Sequence, residues 1–490
     1  MRHFPRATTC RRLHIEPLED RRLLAMFTVD TNLDTVDEND GLLSLREAVA
    51  AANHNTEADE ITFDFGHTGP ETILLTQGEI EILDSLTITG PGADLLTVDA
   101  SGSDPTPEED NGDGSRVFVA DSYFGNTSND AVLSFSGMTL TGGDTDGTGG
   151  AVYAYDVIGL ALFEVVIKEN HAVGPTPLFQ QFPVFTDPAS QGGGGGVAVG
   201  RANLSIIDSV VSHNRTKFNG GGVHFSGDGD VTIIRSNIEH NAAEDATYSF
   251  PISFSGGGGM FVFSSRSLVV QDSSISYNEA VRGTGIYGNL YQHLATQVET
   301  QTFQSTKIVG NTTSSLVLDS LPGEAVYFQM TDGRAFSIHD SLIAQNDGGA
   351  ILLFHHRPGN HVTIQNTSIA NNGGFAYAAY LAAGEYLPTA IRSSTIVGNG
   401  AGMSFISNVT SVRHSVVAHN GPGDDLNGFG TPLLANNFIG YSDTLTETGL
   451  ATPDANGNFI GGPVGGAIDP LLDSLKYNGG QTRTMRPLAN

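Results

Sequence analysis

The sequence has no tryptophan, a single cysteine and only four lysines among 490 residues. The lone cysteine, Cys10, excludes an internal disulfide, so the fold must hold by burial and hydrogen bonding. Lys and Arg together number 23 against 54 carboxylates, a formal net charge of −31. Beyond the N-terminal segment the cations are scattered. The basic stripe that a phosphate backbone requires is missing, and this excludes nucleic acid as a partner. No stretch is long and apolar enough for a membrane-spanning helix. What is abundant is glycine, 61 residues, with frequent Val, Ile, Ser, Thr and Asn. That composition points to short strands and tight turns. The length suits two or three ordinary domains or one elongated repeat array.

The first residues differ from the rest. Arg2, Arg6, Arg11, Arg12, Arg21 and Arg22 crowd a short segment that lacks the apolar middle of an ordinary secretory signal. His14-Ile-Glu-Pro-Leu-Glu-Asp-Arg-Arg-Leu-Leu-Ala25 resembles the LEPR-XLL type N-terminal motif of large bacterial envelope and secreted proteins. That resemblance implies export, and it sets residues 1–26 aside as a disordered targeting segment. A plain basic leader is the alternative.

A seven-residue unit recurs along the chain. Asp208-Ser-Val-Val-Ser-His-Asn214, Asp272-Ser-Ser-Ile-Ser-Tyr-Asn278 and Asp340-Ser-Leu-Ile-Ala-Gln-Asn346 are clear copies. Others are Glu164–Asn170, Arg235–Asn241, Ser305–Asn311, Asn366–Asn372, Ser393–Asn399 and His414–Asn420, with a weaker first copy at Gly137–Gly143. Position 4 is apolar in all ten copies, position 7 is Asn in nine, and position 2 is Ser or Thr from Ser209 onward. Apolar residues also precede the unit, as Leu204 and Ile206 precede Asp208. The inward parity therefore flips near position 1, which requires a bend there. Gly-rich stretches, such as Gly220-Gly-Gly-Val-His-Phe225 and Gly256-Gly-Gly-Gly-Met-Phe261, supply a third strand.

These features predict an all-β fold: a single right-handed parallel β-helix of about ten coils. Position 4 forms an aliphatic stack, and position 7 forms a stacked Asn series bonded to the turn backbone. Arg235 is expected between Asp208 and Asp272. Ser44-Leu-Arg-Glu47 is a capping box that opens a short amphipathic helix, and this helix should cover the first coil.

Two further segments carry resemblances. Asp30 through Asn53, containing Gly41-Leu-Leu-Ser-Leu-Arg-Glu-Ala-Val-Ala-Ala-Ala-Asn53, resembles the CSLREA-type region of bacterial surface β-helix proteins, with Leu43 where that family has Cys. Gly465-Gly-Ala-Ile-Asp-Pro-Leu-Leu472 and Tyr477-Asn-Gly-Gly-Gln-Thr-Arg-Thr-Met485 are similar to the choice-of-anchor Q family. The resemblance implies a pectin-lyase-like β-helix on an exported protein; that family continues into a cell-envelope anchor, which here is either absent or cut off with a fragment ending at Asn490. The expected organisation is a capping region with first coils at 27–100, the β-helix at 101–440 and a C-terminal capping region at 441–490.

For function, the residues leave two readings open. The first is a non-catalytic, monomeric, secreted or cell-surface rod, adhesin-like, that binds carbohydrate or protein through aromatic loops. The second is a polysaccharide lyase or glycoside hydrolase. Aromatic residues cluster in stretches after the unit: Phe179, Phe182 and Phe185; Tyr248, Phe250 and Phe254; Phe375, Tyr377, Tyr380 and Tyr386. Asp424-Asp425 reads as a turn, and Arg282 and Arg334 stand alone. Glu109-Asp-Asn-Gly-Asp-Gly114 echoes the start of a Ca²⁺ loop, but its twelfth position is Ala120. Asp454-Ala-Asn-Gly-Asn458 echoes it more weakly, and His355-His356 reads as coil exterior. No catalytic, cofactor or metal residue is assigned, and Ca²⁺ is the single weak cofactor candidate.

Overall fold

The computed structural model describes residues 25–488, except 55–57, 124–126, 175–191, 245–255, 291–299, 315–322, 331–332, 356–359, 382–387, 407–409, 430–431 and 480–482. Most of the leader motif, Cys10 and the aromatic residues of 175–191 and 245–255 lie outside these residues, as does Tyr386.

The chain winds as a right-handed parallel β-helix. Every named strand pairs in parallel with its equivalents one coil away, and only at the two ends, Met26–Val29 with Asp59–Phe63 and Phe438–Ile439 with Phe459–Ile460, are the partners consecutive strands. Four sheets run along the rod, of 14, 14, 12 and 6 strands. Asn203–Ile207 belongs to the upstream sheet, Val210–Ser212 to the unit sheet, Arg215–Thr216 to the short sheet and Val223–Ser226 to the return sheet.

The unit sheet holds the middle of all ten seven-residue copies, plus two strands before them and two after. Glu71–Leu74 and Leu96–Asp99 precede the first copy; Phe438–Ile439 and Phe459–Ile460 follow the last. At roughly 4.8 Å per strand the rod is about 60 Å long, longer than ten units alone require.

The expected parity flip is a left-handed residue at position 1. Glu164, Asp208, Arg235, Asp272, Ser305, Asp340, Asn366, Ser393 and His414 all have φ between 47° and 54°. A second such bend, absent from the sequence reading, falls at position 6, where His213, His240, Tyr277 and Gln345 have φ of 54–58°. Between the two bends the position-4 side chain points inward, and Val211, Ile238 and Ile275 are fully buried.

The position-7 residues bond in series. Asn241 Nδ2 donates to Val211 O (2.9 Å) and to Asn278 Oδ1 (3.1 Å), and its backbone N–H donates to the same Oδ1 (3.0 Å). This arrangement runs from Asn170 to Asn420, where the Asp425 carboxylate replaces the next amide and accepts both bonds, at 2.7 and 3.0 Å. Position 2 forms a parallel series, with Ser236 Oγ accepting from Ser209 N–H (3.1 Å) and Ser273 Oγ from Ser236 N–H (3.1 Å). Interior polar groups thus satisfy one another from coil to coil.

The glycine runs are turns and not strand residues. The return strands start at Val223 and Met260, after the glycines. A Cβ on Gly221 would overlap the carbonyl of Gly258 and lie 2.5 Å from Ala242 N, backbone in both cases. Only glycine lets the coils stack there.

The capping box is present. Helix Leu45–Ala52 buries Leu45, Ala48, Val49 and Ala52, and Ser44 and Glu47 exchange the reciprocal bonds. Asp34 ties this helix to the first coil by receiving Arg46 and the N–H groups of Thr76 and Gln77. At the other end the chain returns along the outside of the unit sheet. Leu475 packs on Val309, Leu342 and Ala344, and Arg483 donates to Gln345 Oε1 at 2.8 Å.

Arg235 makes a two-point contact with Asp208, both N–O distances being 2.6 Å. Asp272 acts on it only as a nearby charge, so the expected charge sandwich is one-sided. Arg235→Asp should lower the melting temperature slightly, and added salt should shrink the difference, because the pair is exposed. Equal melting of variant and wild type at low salt would count against this contact.

Candidate functional site

Among the described residues, two places stand out where chemistry-bearing side chains come together. The first is a corner beside the start of the short sheet. Carboxylate oxygens of Asp104, Asp113 and Asp144 lie within 4.8 Å of one another. Asp113 comes from the loop that echoes a Ca²⁺ site; Asp104 and Asp144 had no sequence signal. The twelfth loop position, Ala120, is buried in a return strand and offers no ligand.

Asp144 is committed to the fold. Its Oδ1 meets His171 Nδ1 at 2.6 Å, and its Oδ2 accepts the N–H groups of Gly112 (2.8 Å) and Asn111 (3.2 Å). Burial pushes its carboxyl up, but these donors outweigh burial and hold it below the usual range. Asp104 shifts the other way. Burial and the neighbouring carboxylates raise it, although Thr106 N–H bonds its Oδ1 at 2.7 Å. Asp113 accepts Thr106 Oγ1 and remains exposed. Arg215 approaches from two coils beyond Asp144, 3.8 Å from Asp110, while its main partner is Glu244.

The second place is the outward face of the return sheet. Strands here alternate an inward apolar residue with an outward one. His224, Phe261, Tyr287, Tyr327 and Leu352 occupy one outward register column. The rings stack: Phe261 to Tyr287 at 5.3 Å between centroids, and Tyr287 to Tyr327 at 4.6 Å. Gln329 Nε2 donates to the Tyr327 hydroxyl at 2.7 Å.

Although this column faces away from the core, its members are at most 5% exposed. Several buried polar atoms on this face lack a hydrogen-bond partner: His224 Nε2, Asn289 Oδ1 and Glu324 Oε2. Burial lowers His224 to about 4, so it is neutral at pH 7. An unsatisfied buried group costs about 1–3 kcal/mol, and such groups collect where something else supplies the partner.

The remaining sequence candidates are structural. Asp425 ends the Asn series, and Asp424 accepts Asp443 N–H at 2.7 Å. Arg334 is buried and donates to Ser265 O at 3.0 Å. Asp454 accepts the N–H groups of Asn456 and Asn458 and closes its own turn. The expected aromatic insertion at Phe375 to Tyr386 is corrected: Phe375–Leu381 is a return strand, and Tyr377 is a core residue, fully buried. His355 ends a return strand; its side chain and His356 lie outside the described residues.

With this geometry in place, the family comparison agrees on the fold. Residues 185–358 match the model of the right handed beta helix region family. Among solved structures, the mannuronan C-5 epimerase AlgE4 A-module of Azotobacter vinelandii is similar at 14% identity and a TM-score of 0.44, over 83% of this chain and 97% of that one. A Dettilon tailspike protein is similar at 12% identity and a TM-score of 0.43, over 82% of this chain and 66% of that one. PfbA, a surface adhesin of Streptococcus pneumoniae, is similar at 11% identity and a TM-score of 0.33, over 95% of this chain and all of that one. No curated protein matches the chain. Among the described residues no helix is long and apolar enough to cross a membrane.

Proposed function

We propose that this protein is an exported, non-catalytic β-helix rod that binds extracellular glycan on the outward face of its return sheet. One observation supports this above others. Regular positions of the upstream and unit sheets are spent on holding coils together, whereas the return sheet sets stacked aromatics beside buried polar atoms with unused bonding capacity. The column itself is covered, but Phe263 and Gln329 bring this face to the surface, and an aromatic ring beside an amide suits a sugar. The basic leader and the LEPR-XLL-like motif agree with export.

Affinity electrophoresis of the full chain through neutral and acidic polysaccharides, with and without Ca²⁺, tests this. Retardation is expected, and the Phe263→Ser/Gln329→Ala pair, both half-buried on this face, should weaken it about tenfold. Migration unaffected by every polysaccharide would sink the reading.

A second reading, polysaccharide hydrolysis or elimination, is favoured by the opposite displacement of the Asp104 and Asp144 carboxyls. It ranks lower because both Asp144 oxygens are taken by protein donors. In the same assay, chain cleavage that Asp104→Asn abolishes would put this second reading first.

A further inference from the structure

At the N-terminal end of the same face, three consecutive coils converge on one exposed cation. Asp121, Tyr155 and Gly200 are register partners at the ends of return strands Phe118–Asp121, Val152–Tyr155 and Val197–Gly200. The Tyr155 ring lies across Gly200, where a Cβ would overlap ring atom Cδ2. Arg201 follows in a left-handed bend, φ 49°, which turns its side chain back over the strand ends. Its guanidinium carbon is 5.5 Å from the centroids of both Tyr123 and Tyr155. Those two rings meet edge to face at 6.0 Å and 83°. Tyr123 is 54% exposed, and Arg201 is exposed beside it.

The charge of Arg201 is unmatched. Several other arginines on the rod take carboxylates: Arg116 takes Glu79, Arg235 Asp208 and Arg266 Asp230. Among the described residues no carboxylate lies within 4.0 Å of the Arg201 guanidinium and no acceptor takes its N–H groups; the backbone N–H donates to Ser226 O at 2.8 Å. Asp121 Oδ1 accepts Tyr123 N–H at 2.8 Å, and Asp156 Oδ2, one coil back at the same corner, accepts Ser122 Oγ at 3.2 Å. In a chain with 54 carboxylates, an exposed guanidinium held between two tyrosines and left without a counter-ion is a place for an anion from outside.

We propose that Tyr123, Arg201 and Tyr155 form a subsite for a sugar bearing a carboxylate. The planar guanidinium would take the carboxylate at two points, and the Tyr123 ring would take the apolar face of the sugar. The net charge of −31 narrows the class further. A uniformly anionic polymer would be repelled along the rod, whereas one carboxylate in a neutral glycan meets only the screened local field. The ligand is therefore a largely neutral glycan with isolated uronate residues.

This inference rests on the glycan-binding reading, so the test separates the two. Calorimetric titration of the full chain would use glucuronoxylan, its carboxyl-reduced form, and other neutral glycans with sparse uronates treated in pairs likewise, with polygalacturonate for comparison. Native glucuronoxylan should bind about tenfold more tightly than the reduced form and more tightly than polygalacturonate, with affinity falling as salt rises. Arg201→Asn, which suits the left-handed bend, should erase the preference for the native form. Tyr123→Ala should weaken both forms, and Tyr123→Phe should preserve binding. Unchanged melting curves would show that the variants fold. Equal affinity for native and reduced forms, or an Arg201→Asn variant that keeps the preference, overturns the subsite while leaving glycan binding intact. Binding of no glycan in the panel overturns both.

Discussion

Asn278→Ala is expected to destabilise the middle of the rod by about 3 kcal/mol, through unmade hydrogen bonds more than through lost volume. The Asn278 Oδ1 accepts two bonds from Asn241, and its Nδ2 donates to Ile238 O at 2.9 Å and to Asn311 Oδ1 at 3.1 Å. Alanine leaves the Asn241 N–H and the Ile238 carbonyl buried without partners. Because neighbouring coils fold as nearest neighbours in a repeat array, the loss should be local. Hydrogen exchange should quicken between about residues 238 and 311 while the capping helix keeps its protection. Uniform exchange along the rod, or an unchanged pattern, would contradict this account. Asn278→Asp is a sharper version. It keeps the acceptor but places a carboxylate oxygen against two other acceptors, so its penalty should be larger at neutral pH and shrink as pH falls and the acid becomes a donor. Asp425 shows where a carboxylate is tolerated: at the end of the series it only accepts.

How the sequence discloses some of this and hides the rest follows from which positions repeat. Positions 4 and 7 recur because every coil imposes the same demand, one methyl-branched side chain inward and one amide bridging to the next turn. A single chain without relatives suffices to see them. The bend at position 1 is also legible, because Leu204 and Ile206 fall out of phase with Val211. The bend at position 6 is not, since Glu169, His213, Tyr277 and Gly310 share no side-chain property, only a backbone angle. The short sheet escapes notice for a related reason: two residues are too few for alternation to register.

The candidate sites are hidden differently. Asp104 and Asp113 share the segment between Leu96–Asp99 and Phe118–Asp121, and only the register brings Asp144 beside them. Tyr123, Tyr155 and Arg201 likewise need the coil spacing to become one patch. The outward column could have been found. In Val223-His-Phe225, Met260-Phe-Val262, Ile286-Tyr-Gly288 and Val326-Tyr-Phe328, the middle residue must face out once the strand start after the glycines is known. Placing the strand on the glycines themselves concealed that phase.

Glu324 should make the rod less stable as pH rises across the mildly acidic range. Its side chain is 4% exposed, and burial pushes the carboxyl from 4.5 up to about 7, against a smaller opposing pull from the Arg282 guanidinium. Tyr287 and Tyr327 are the other titratable groups close enough to feel it, and both stay protonated here because burial raises them. The sign follows from which state holds the proton longer. The unfolded chain releases it near 4.5 and the folded chain near 7, so stability is full below the lower value and falls between the two. The displacement amounts to about 3 kcal/mol by the upper end of that window. Glu324→Gln removes the titration. It should match the wild type near pH 4 and exceed it by about 3 kcal/mol at pH 8, as measured by denaturant unfolding at the two values. A difference that does not vary with pH would show that the acid is not buried in this way. The same measurement bears on the binding face. A ligand hydroxyl donating to the unpartnered Oε2 favours the charged form, so saturating glycan should lift the wild type at pH 8 toward the Gln variant and leave the variant itself less affected.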